Sequence, residues 1–173
     1  ILKLVLDSRK MELYAYSNDP DLNAHAMVTR QSASEGMVLL KNEGILPLDG
    51  IKNVALFGST SYDFIAGGTG SGDVNEAYTV SLEEGLATAQ LQSAIVSEAP
   101  EPLSERVVYE IAKIPKEAFT AHREANAEAF VKPEGFNAMF QPYDPPEFLL
   151  TPEELAQTAE EADVAIITIG RNS

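Results

Sequence analysis

The sequence predicts an α/β fold, a three-layer sandwich built around a mostly parallel sheet. Two short apolar runs, VALF and VAIITI, lack polar alternation, and segments with helical spacing and helix caps lie before and between them. Strands that are apolar on both faces are typical of parallel sheets covered by helices on both sides. Because only two strands are evident, we expect the sheet to be incomplete within these 173 residues.

The first predicted helix lies between residues 18 and 44. Asn18 or Asp19 is its expected N-cap, Pro20 falls in the first turn, and Gly44 follows the last turn. Apolar side chains at roughly helical spacing predict one buried face, which comprises Leu22, Ala26, Val28 or Thr29, Ala33, Met37 and Leu40.

A short buried strand is predicted next, from Asn53 to Phe57, with Gly58 at its carboxyl end. The stretch GGTGSGD, residues 67–73, follows within about ten residues of this strand. Its four glycines lack side-chain bulk and permit positive φ, so the backbone can form a tight loop that approaches a ligand closely. A flexible linker has the same composition, so composition alone leaves both interpretations open.

Three further elements complete the predicted order. A helix within residues 78–91 begins at Thr79 or Ser81, and a proline-rich and aromatic segment, residues 131–150, is expected to be ordered but irregular. Thr151 and Glu154 form a predicted capping box for the last helix, which precedes the strand VAIITI. The acidic stretch between residues 98 and 163 is interpreted as mostly a solvated helical face.

Composition excludes several function classes. The net charge of −15 opposes binding to nucleic acids and to anionic membranes, and no apolar run is long enough to span a bilayer. The absence of cysteine excludes disulfides, thiolate zinc sites and a cysteine nucleophile. Histidines and carboxylates show no metal-site spacing, so no metal or other cofactor is expected.

Two nucleotide motifs fail when they are tested on the glycine-rich stretch. The dinucleotide fingerprint fits poorly because its sixth position would be Asp73 or Asn75 rather than glycine. The phosphate-binding loop pattern fits Gly67 and Gly72, but Asp73 puts a negative charge where a lysine should meet the phosphates. Neutral, hydroxyl-rich ligands such as sugars remain, because a serine hydroxyl, backbone N–H groups and a carboxylate can all bind them.

Four segments in order resemble the second domain of family 3 glycoside hydrolases, the β-glucosidase and β-xylosidase group. They are NAHAMVTRQSASEGMVLLKNEGILPL, VALFGST, GGTGSGDVNEAYTVSLEEGL and ADVAIITIGRNS. The opening ILKLVLDSRKMEL resembles the tail that leaves a barrel domain in such enzymes. The resemblance therefore implies a tail over residues 1–18 and the N-terminal part of an α/β sandwich domain over residues 19–173.

Such enzymes hydrolyse terminal β-linked sugars with retention, which requires two carboxyl groups. The resemblance implies an aspartate nucleophile in a barrel domain outside this chain and an acid/base glutamate just after Ser173. The implied partners are a β-glycoside or oligosaccharide substrate and that barrel domain, and the chain alone is expected to be inactive. Glu43, Glu76 and Glu83 are not assigned as the catalytic acid.

The resemblance implies that the glycine-rich loop faces the substrate. Ser71 corresponds to a serine whose hydroxyl reaches the sugar, and Gly70, Gly72, Asp73 and Arg171 are candidate substrate-binding neighbours. Without the resemblance, the Ser71 hydroxyl is expected to form a hydrogen bond with the backbone of its own turn. Asp73 can equally cap the turn, and Arg171 can be an exposed arginine at the end of a strand.

Other residues have plainer interpretations, and one alternative function stays open. We expect His25 to be structural and His122 to lie on the surface, and local packing is favoured over sugar stacking for Phe136, Phe140, Tyr143 and Phe148. The alternative to a glycosidase is a non-catalytic module that binds a sugar or a protein.

Overall fold

A computed structural model of the chain describes residues 1–8, 15, 17–69, 72, 76, 78–87 and 109–170. The chain divides into two compact units, Ile1–Pro47 and Leu48–Ser173. Within the described residues, no helix has the length and apolar character needed to cross a bilayer. The division into residues 1–18 and 19–173 that the family resemblance implies stays a prediction.

The first unit contains helices α1, Leu2–Leu6, and α2, Leu22–Gly36. The predicted caps of α2 were wrong: Asp21 is the N-cap, and its carboxylate accepts a hydrogen bond from Ala24 N at 3.0 Å. The helix also ends eight residues before Gly44, since Met37 is already extended with ψ of 133°. Glycine is a poor helix former, so Gly36 is a natural place for the last turn to end.

The predicted buried face of α2 was also wrong. No residue of α2 is buried; Leu22 is 68% exposed, and beyond the helix Leu40 is 92% exposed. Helical spacing identifies which side chains share a face, but burial of that face needs an apposed layer. The described residues of this unit supply only the short helix α1 and loops.

The second unit is built on a three-stranded parallel sheet with the order β2–β1–β3. The strands are β1, Asn53–Phe57, β2, Glu110–Ile111, and β3, Val164–Ile167. The bounds predicted for β1 are confirmed, and Val54, Ala55 and Leu56 are buried as expected for a central parallel strand. The predicted α/β class with a parallel sheet is thus confirmed.

The two flanking strands depart from the sequence-based expectations. β2 was not predicted, because two residues are too short to display a hydrophobic period. The prediction that VAIITI is buried was wrong: one face of the strand is only partly buried, and on the other face Ile167 is 70% exposed and Ile169 is 91% exposed. β3 pairs with β1 on one side, from Val54 with Val164 to Phe57 with Ile167.

In the described part of this unit the sheet is accompanied by the helices α3, Leu82–Ala87, α4, Lys113–Ala125, and α5, Pro152–Glu161. Ser81 rather than Thr79 caps α3, since its hydroxyl accepts from Glu84 N at 3.1 Å while its own N–H donates to Glu84. The capping box predicted for α5 between Thr151 and Glu154 is confirmed. The sequence pattern predicts no separate helix over residues 113–125, only a solvated helical face for the acidic region around them.

The core beside α4 is aromatic. Phe119, Phe130 and Phe148 form a buried cluster, and the Tyr62 ring stacks on Phe119 with centroids 4.7 Å apart. Aromatic pairs at this separation each contribute about 0.5–1.5 kcal/mol beyond the area they bury. Phe148 thereby ties the irregular segment 131–150 to the helix layer, which confirms the packing interpretation for that ring.

Candidate functional site

The carboxyl ends of β1 and β3 meet at one edge of the sheet because the two strands are parallel neighbours. Gly58 follows β1 at this edge and leads through a 3₁₀ turn, Ser59–Ser61, toward the glycine-rich loop. Gly170 lies just beyond the end of β3. In open α/β sheets this edge is where ligands bind.

The glycine-rich loop closes on itself through backbone hydrogen bonds. Gly68 N donates to Gly72 O at 3.3 Å, and Gly72 N donates to Thr69 O at 3.2 Å. A Cβ added at Gly72 would meet no atom within 4 Å, so no packing of the described residues requires glycine there. These hydrogen bonds tie Gly72 back to Gly68 and Thr69, and Gly72 is the one predicted site residue that lies within the described residues.

The remaining predicted site residues lie outside the described part of the chain. They are Gly70, Ser71, Asp73 and Arg171. Their assignment as substrate-binding residues therefore stays a prediction, as does the acid/base glutamate expected after Ser173.

A small cleft opens beside the glycine-rich loop. Its lining includes Gly67, Gly68, Glu76, Lys132 and Tyr143, and its volume is about 20 Å³. This volume is close to what one water molecule needs. The cleft can therefore accept a water molecule or a single hydroxyl group of a larger ligand.

Charged and aromatic side chains give this cleft its chemistry. Glu76 Oε1 is buried without a hydrogen-bond partner among the described residues, and Lys132 Nζ lies 3.7 Å away. The same ammonium group lies 5.9 Å from the centroid of the Tyr143 ring, within the range of a cation–π interaction. A buried carboxylate oxygen that lacks a donor is costly, so it favours a ligand hydroxyl or a water that can donate to it.

Tyr143 is held in place from the other side. Its hydroxyl donates a short hydrogen bond to Asp63 Oδ2. Burial raises the pKa of Tyr143, and the hydrogen bond and negative charge of Asp63 raise it further. The tyrosine therefore stays protonated and fixes the ring that the Lys132 ammonium group faces.

Glu76 and Lys132 were not found as site residues by sequence analysis. Glu76 follows the glycine-rich loop by three residues, which is the one sequence signal that points to it. Lys132 is distant in sequence, and only the fold brings it to Glu76. Glu83, which lies ten residues after the loop in sequence, instead pairs with Lys116 at 2.6 Å.

The two histidines differ in their surroundings. The His25 side chain is exposed on helix α2, so the structural role expected for it stays a prediction. His122 Nε2 lies 3.2 Å from Pro146 O, its Nδ1 lies 3.3 Å from Asn126 Nδ2, and its ring packs edge-on against Phe130. The surface position expected for His122 is therefore only partly correct, because the ring links α4 to the irregular segment.

The aromatic residues of segment 131–150 divide into two groups. Phe148 belongs to the core and Tyr143 to the cleft, whereas Phe136 and Phe140 are 74% and 67% exposed. The last two rings contact each other with centroids 5.1 Å apart. Local packing thus accounts for Phe148, whereas for Phe136 and Phe140 the preference for local packing over sugar stacking stays a prediction.

Comparison with known proteins identifies the family. Residues 37–173 match the family model described as the glycosyl hydrolase family 3 C-terminal domain. The chain is 47% identical to β-glucosidase A of Butyrivibrio fibrisolvens over 64 residues, which is 36% of this chain and 8% of that protein. It is 29% identical to a β-glucosidase of Ruminococcus albus over 155 residues, 88% of this chain and 14% of that protein.

Solved structures agree with the sequence comparison. The chain superposes on β-glucosidase 3B from Thermotoga neapolitana, solved in complex with α-D-glucose, with a TM-score of 0.71 and 30% identity. That match covers 100% of this chain and 21% of the solved chain, so this chain spans about a fifth of that enzyme. The chain belongs to glycosyl hydrolase family 3, and its residues 37–173 correspond to the C-terminal domain of that family.

Proposed function

We propose that this chain is part of a retaining β-glycosidase, similar to β-glucosidases, that hydrolyses terminal β-linked sugars. In this proposal the glycine-rich loop, residues 67–73, faces the substrate in an active site shared with a barrel domain outside the chain. The observation that carries the proposal is the match of residues 37–173 to the family's C-terminal domain. The placement of this loop after the central strand, at the ligand-binding edge of a parallel sheet, supports it.

The division of labour follows from the two-carboxylate mechanism. One carboxyl group protonates the leaving oxygen, and a second forms a glycosyl ester that water later cleaves. Neither group is assigned to a described residue of this chain. Its own residues bind and orient the sugar, while the acid/base glutamate follows β3 in sequence and the nucleophile belongs to the barrel. The chain alone is therefore expected to be inactive.

The loop and the cleft suit a sugar chemically. The Ser71 hydroxyl can donate to or accept from a sugar hydroxyl, and backbone N–H groups left open by missing side chains can add further bonds. The buried Glu76 Oε1 in the neighbouring cleft accepts from a hydroxyl that reaches it. Repulsion by the chain's net charge of −15 favours a neutral ligand over a phosphorylated one.

A single substitution tests the role of the loop. Ser71→Ala in the full-length protein should lower kcat/KM on nitrophenyl β-glucoside about 5- to 150-fold. This loss is equivalent to about 1–3 kcal/mol of transition-state stabilisation, the usual cost of removing one partner of a buried hydrogen bond. The matched control is Ser34→Ala, because the Ser34 hydroxyl lies on an exposed helix face and donates to the backbone oxygen of Arg30 one turn earlier. We expect the control to retain wild-type kcat/KM.

Two results would contradict parts of this proposal. An unchanged kcat/KM in Ser71→Ala would assign the serine hydroxyl to its own turn. A full-length protein that binds glucose or a glucoside in calorimetry but cleaves no nitrophenyl glycoside would instead favour a non-catalytic sugar-binding module.

A further inference from the structure

Three hydroxyl groups form a continuous cluster at the carboxyl edge of the sheet, here called the hydroxyl cluster: Thr60, Ser61 and Thr168. Thr60 Oγ1 donates to Thr168 Oγ1 at 2.8 Å, and Thr168 Oγ1 lies 2.9 Å from Ser61 Oγ. Ser61 Oγ in turn donates to Phe57 O at 3.0 Å. The cluster thus joins the turn after β1 to the residue that follows β3.

The hydrogen bonds of the cluster limit where its hydrogen atoms can lie. Each hydroxyl has a single hydrogen to donate. Thr60 donates to Thr168 and Ser61 to the carbonyl of Phe57, while the Thr168 hydroxyl has two acceptors within reach, Ser61 Oγ at 2.9 Å and Phe57 O at 3.3 Å. A series of this kind is directional, because each member fixes the rotamer of the next.

Close backbone contacts on both sides of the cluster hold the same two segments together. A Cβ added at Gly58 would lie 2.2 Å from Thr168 O, and one added at Gly170 would lie 2.3 Å from Thr60 Cγ2. A larger residue at Gly58 would need the backbone at Thr168 to shift, and one at Gly170 would need the Thr60 side chain to shift. The turn after β1 and the exit of β3 therefore pack so closely that neither glycine has room for a Cβ.

The turn itself is anchored from a third direction. Ser59 N donates to Glu147 Oε2 at 2.6 Å, and Ser59 Oγ donates to Pro146 O at 2.9 Å. Ser59 and Ser61 are both completely buried. The support under β3 is thus rigid, since it is fixed to β1 and to the irregular segment at once.

We infer that the hydroxyl cluster positions the residues that follow Gly170, and that Thr168 is its central positioning residue. Apolar side chains would fill the same space, but they would allow the exit of β3 to slide, whereas the hydrogen bonds specify one position. This inference rests on the proposed function, in which the acid/base glutamate follows β3. The cluster then sets where that carboxyl group stands relative to the glycine-rich loop, without touching the substrate.

The test replaces Thr168 by valine, which keeps the shape and removes the hydroxyl, in the full-length protein. Thr168→Ser keeps the hydroxyl and should retain activity. Thr158→Val is the matched control, because Thr158 is also buried and its hydroxyl donates to Glu154 O within the same helix, α5, at 2.7 Å. It repeats the same chemical change away from the sheet edge.

The readout is kcat/KM on two β-glucosides that differ in their need for a proton. Methyl β-glucoside has a poor leaving group and depends on the acid, whereas dinitrophenyl β-glucoside leaves with little help. In Thr168→Val, kcat/KM should fall about tenfold or more on the methyl glycoside and much less on the dinitrophenyl glycoside. The methyl glycoside needs general acid catalysis, which contributes about 10²–10⁴-fold to the rate. An equal loss on both substrates, no loss on either, or the same selective loss in Thr158→Val would overturn the inference.

Two further measurements cover the remaining outcomes. If circular dichroism shows that Thr168→Val does not fold, Thr60→Val, which removes one outer member of the cluster, is subjected to the same assay and the same criteria. If the wild-type protein cleaves no glycoside, the proposed function fails, and positioning is judged by amide hydrogen exchange from Thr168 to Gly170. Exchange there should be faster in Thr168→Val than in Thr158→Val, and equal rates would overturn the inference.

Discussion

A single added methyl group at Gly58 should lower the free energy of unfolding by a large amount. Its φ of 91° lies in a region that L-residues rarely adopt, and a Cβ would lie 2.2 Å from the backbone oxygen of Thr168. Gly58→Ala therefore adds backbone strain of about 1–3 kcal/mol to an overpacking cost of about 1–3 kcal/mol. We expect a total loss on the order of 2–6 kcal/mol in the free energy of unfolding, a large part of the roughly 5–15 kcal/mol that holds a domain folded.

Gly135→Ala separates the two contributions. Gly135 also has positive φ, 59°, but no atom lies within 4 Å of an added Cβ. The control should therefore lose only the conformational part, about 1–2 kcal/mol. Urea unfolding monitored by far-ultraviolet circular dichroism gives both free energies, provided that the denaturant slopes agree. If Gly58→Ala were no less stable than Gly135→Ala, the close contact between Gly58 and Thr168 would be refuted.

Two further predictions concern stability as a function of pH. Asp163 Oδ2 accepts from the backbone N–H groups of Lys52 and Asn53 at 3.0 and 2.9 Å, and these bonds lower the pKa of Asp163. The stabilising contribution of Asp163 is therefore present above the ordinary aspartate pKa and is lost as pH falls through the lowered value. Asp163→Asn should reduce Tm at pH 7. A difference in Tm from wild type that persists undiminished well below about pH 4 would contradict this reasoning. Burial, with a smaller effect of the Glu83 charge, raises the pKa of Tyr62, whose hydroxyl donates to Leu56 O at 3.0 Å. The stabilising contribution of Tyr62 is present below the ordinary tyrosine pKa and declines as pH rises above it. Above about pH 10, Tm measured by calorimetry should therefore fall more steeply in wild type than in Tyr62→Phe. Parallel curves of Tm against pH would contradict this prediction.

Local signals in the sequence were sufficient for several elements. The apolar run from Asn53 to Phe57 predicted β1 with its correct bounds, because a central parallel strand needs apolar side chains on both faces. The Thr151–Glu154 capping box predicted the start of α5, because its hydrogen bonds join residues three apart. In both cases the residues that determine the element lie within a few positions of each other in the sequence.

Non-local interactions explain the structural features that the sequence predicted wrongly or did not predict. The spacing of apolar residues in α2 identified a face but not whether another layer would cover it. β2 has two residues and exists because Ala112 N donates to Val54 O in β1 and Glu110 N donates to Lys52 O just before β1, which no local pattern records. Glu76 and Lys132 are 56 positions apart in sequence, yet they line one cleft.

The sequence by itself determined the α/β class, the family resemblance and the glycine-rich loop, because these depend on residue types in a fixed order along the chain. Only the tertiary structure decided what surrounds the loop. The cleft of Glu76, Lys132 and Tyr143 and the hydroxyl cluster at Thr168 form where separate segments meet at the carboxyl edge of a parallel sheet. Their chemistry depends on distances of a few ångströms between residues far apart in sequence, and folding sets those distances.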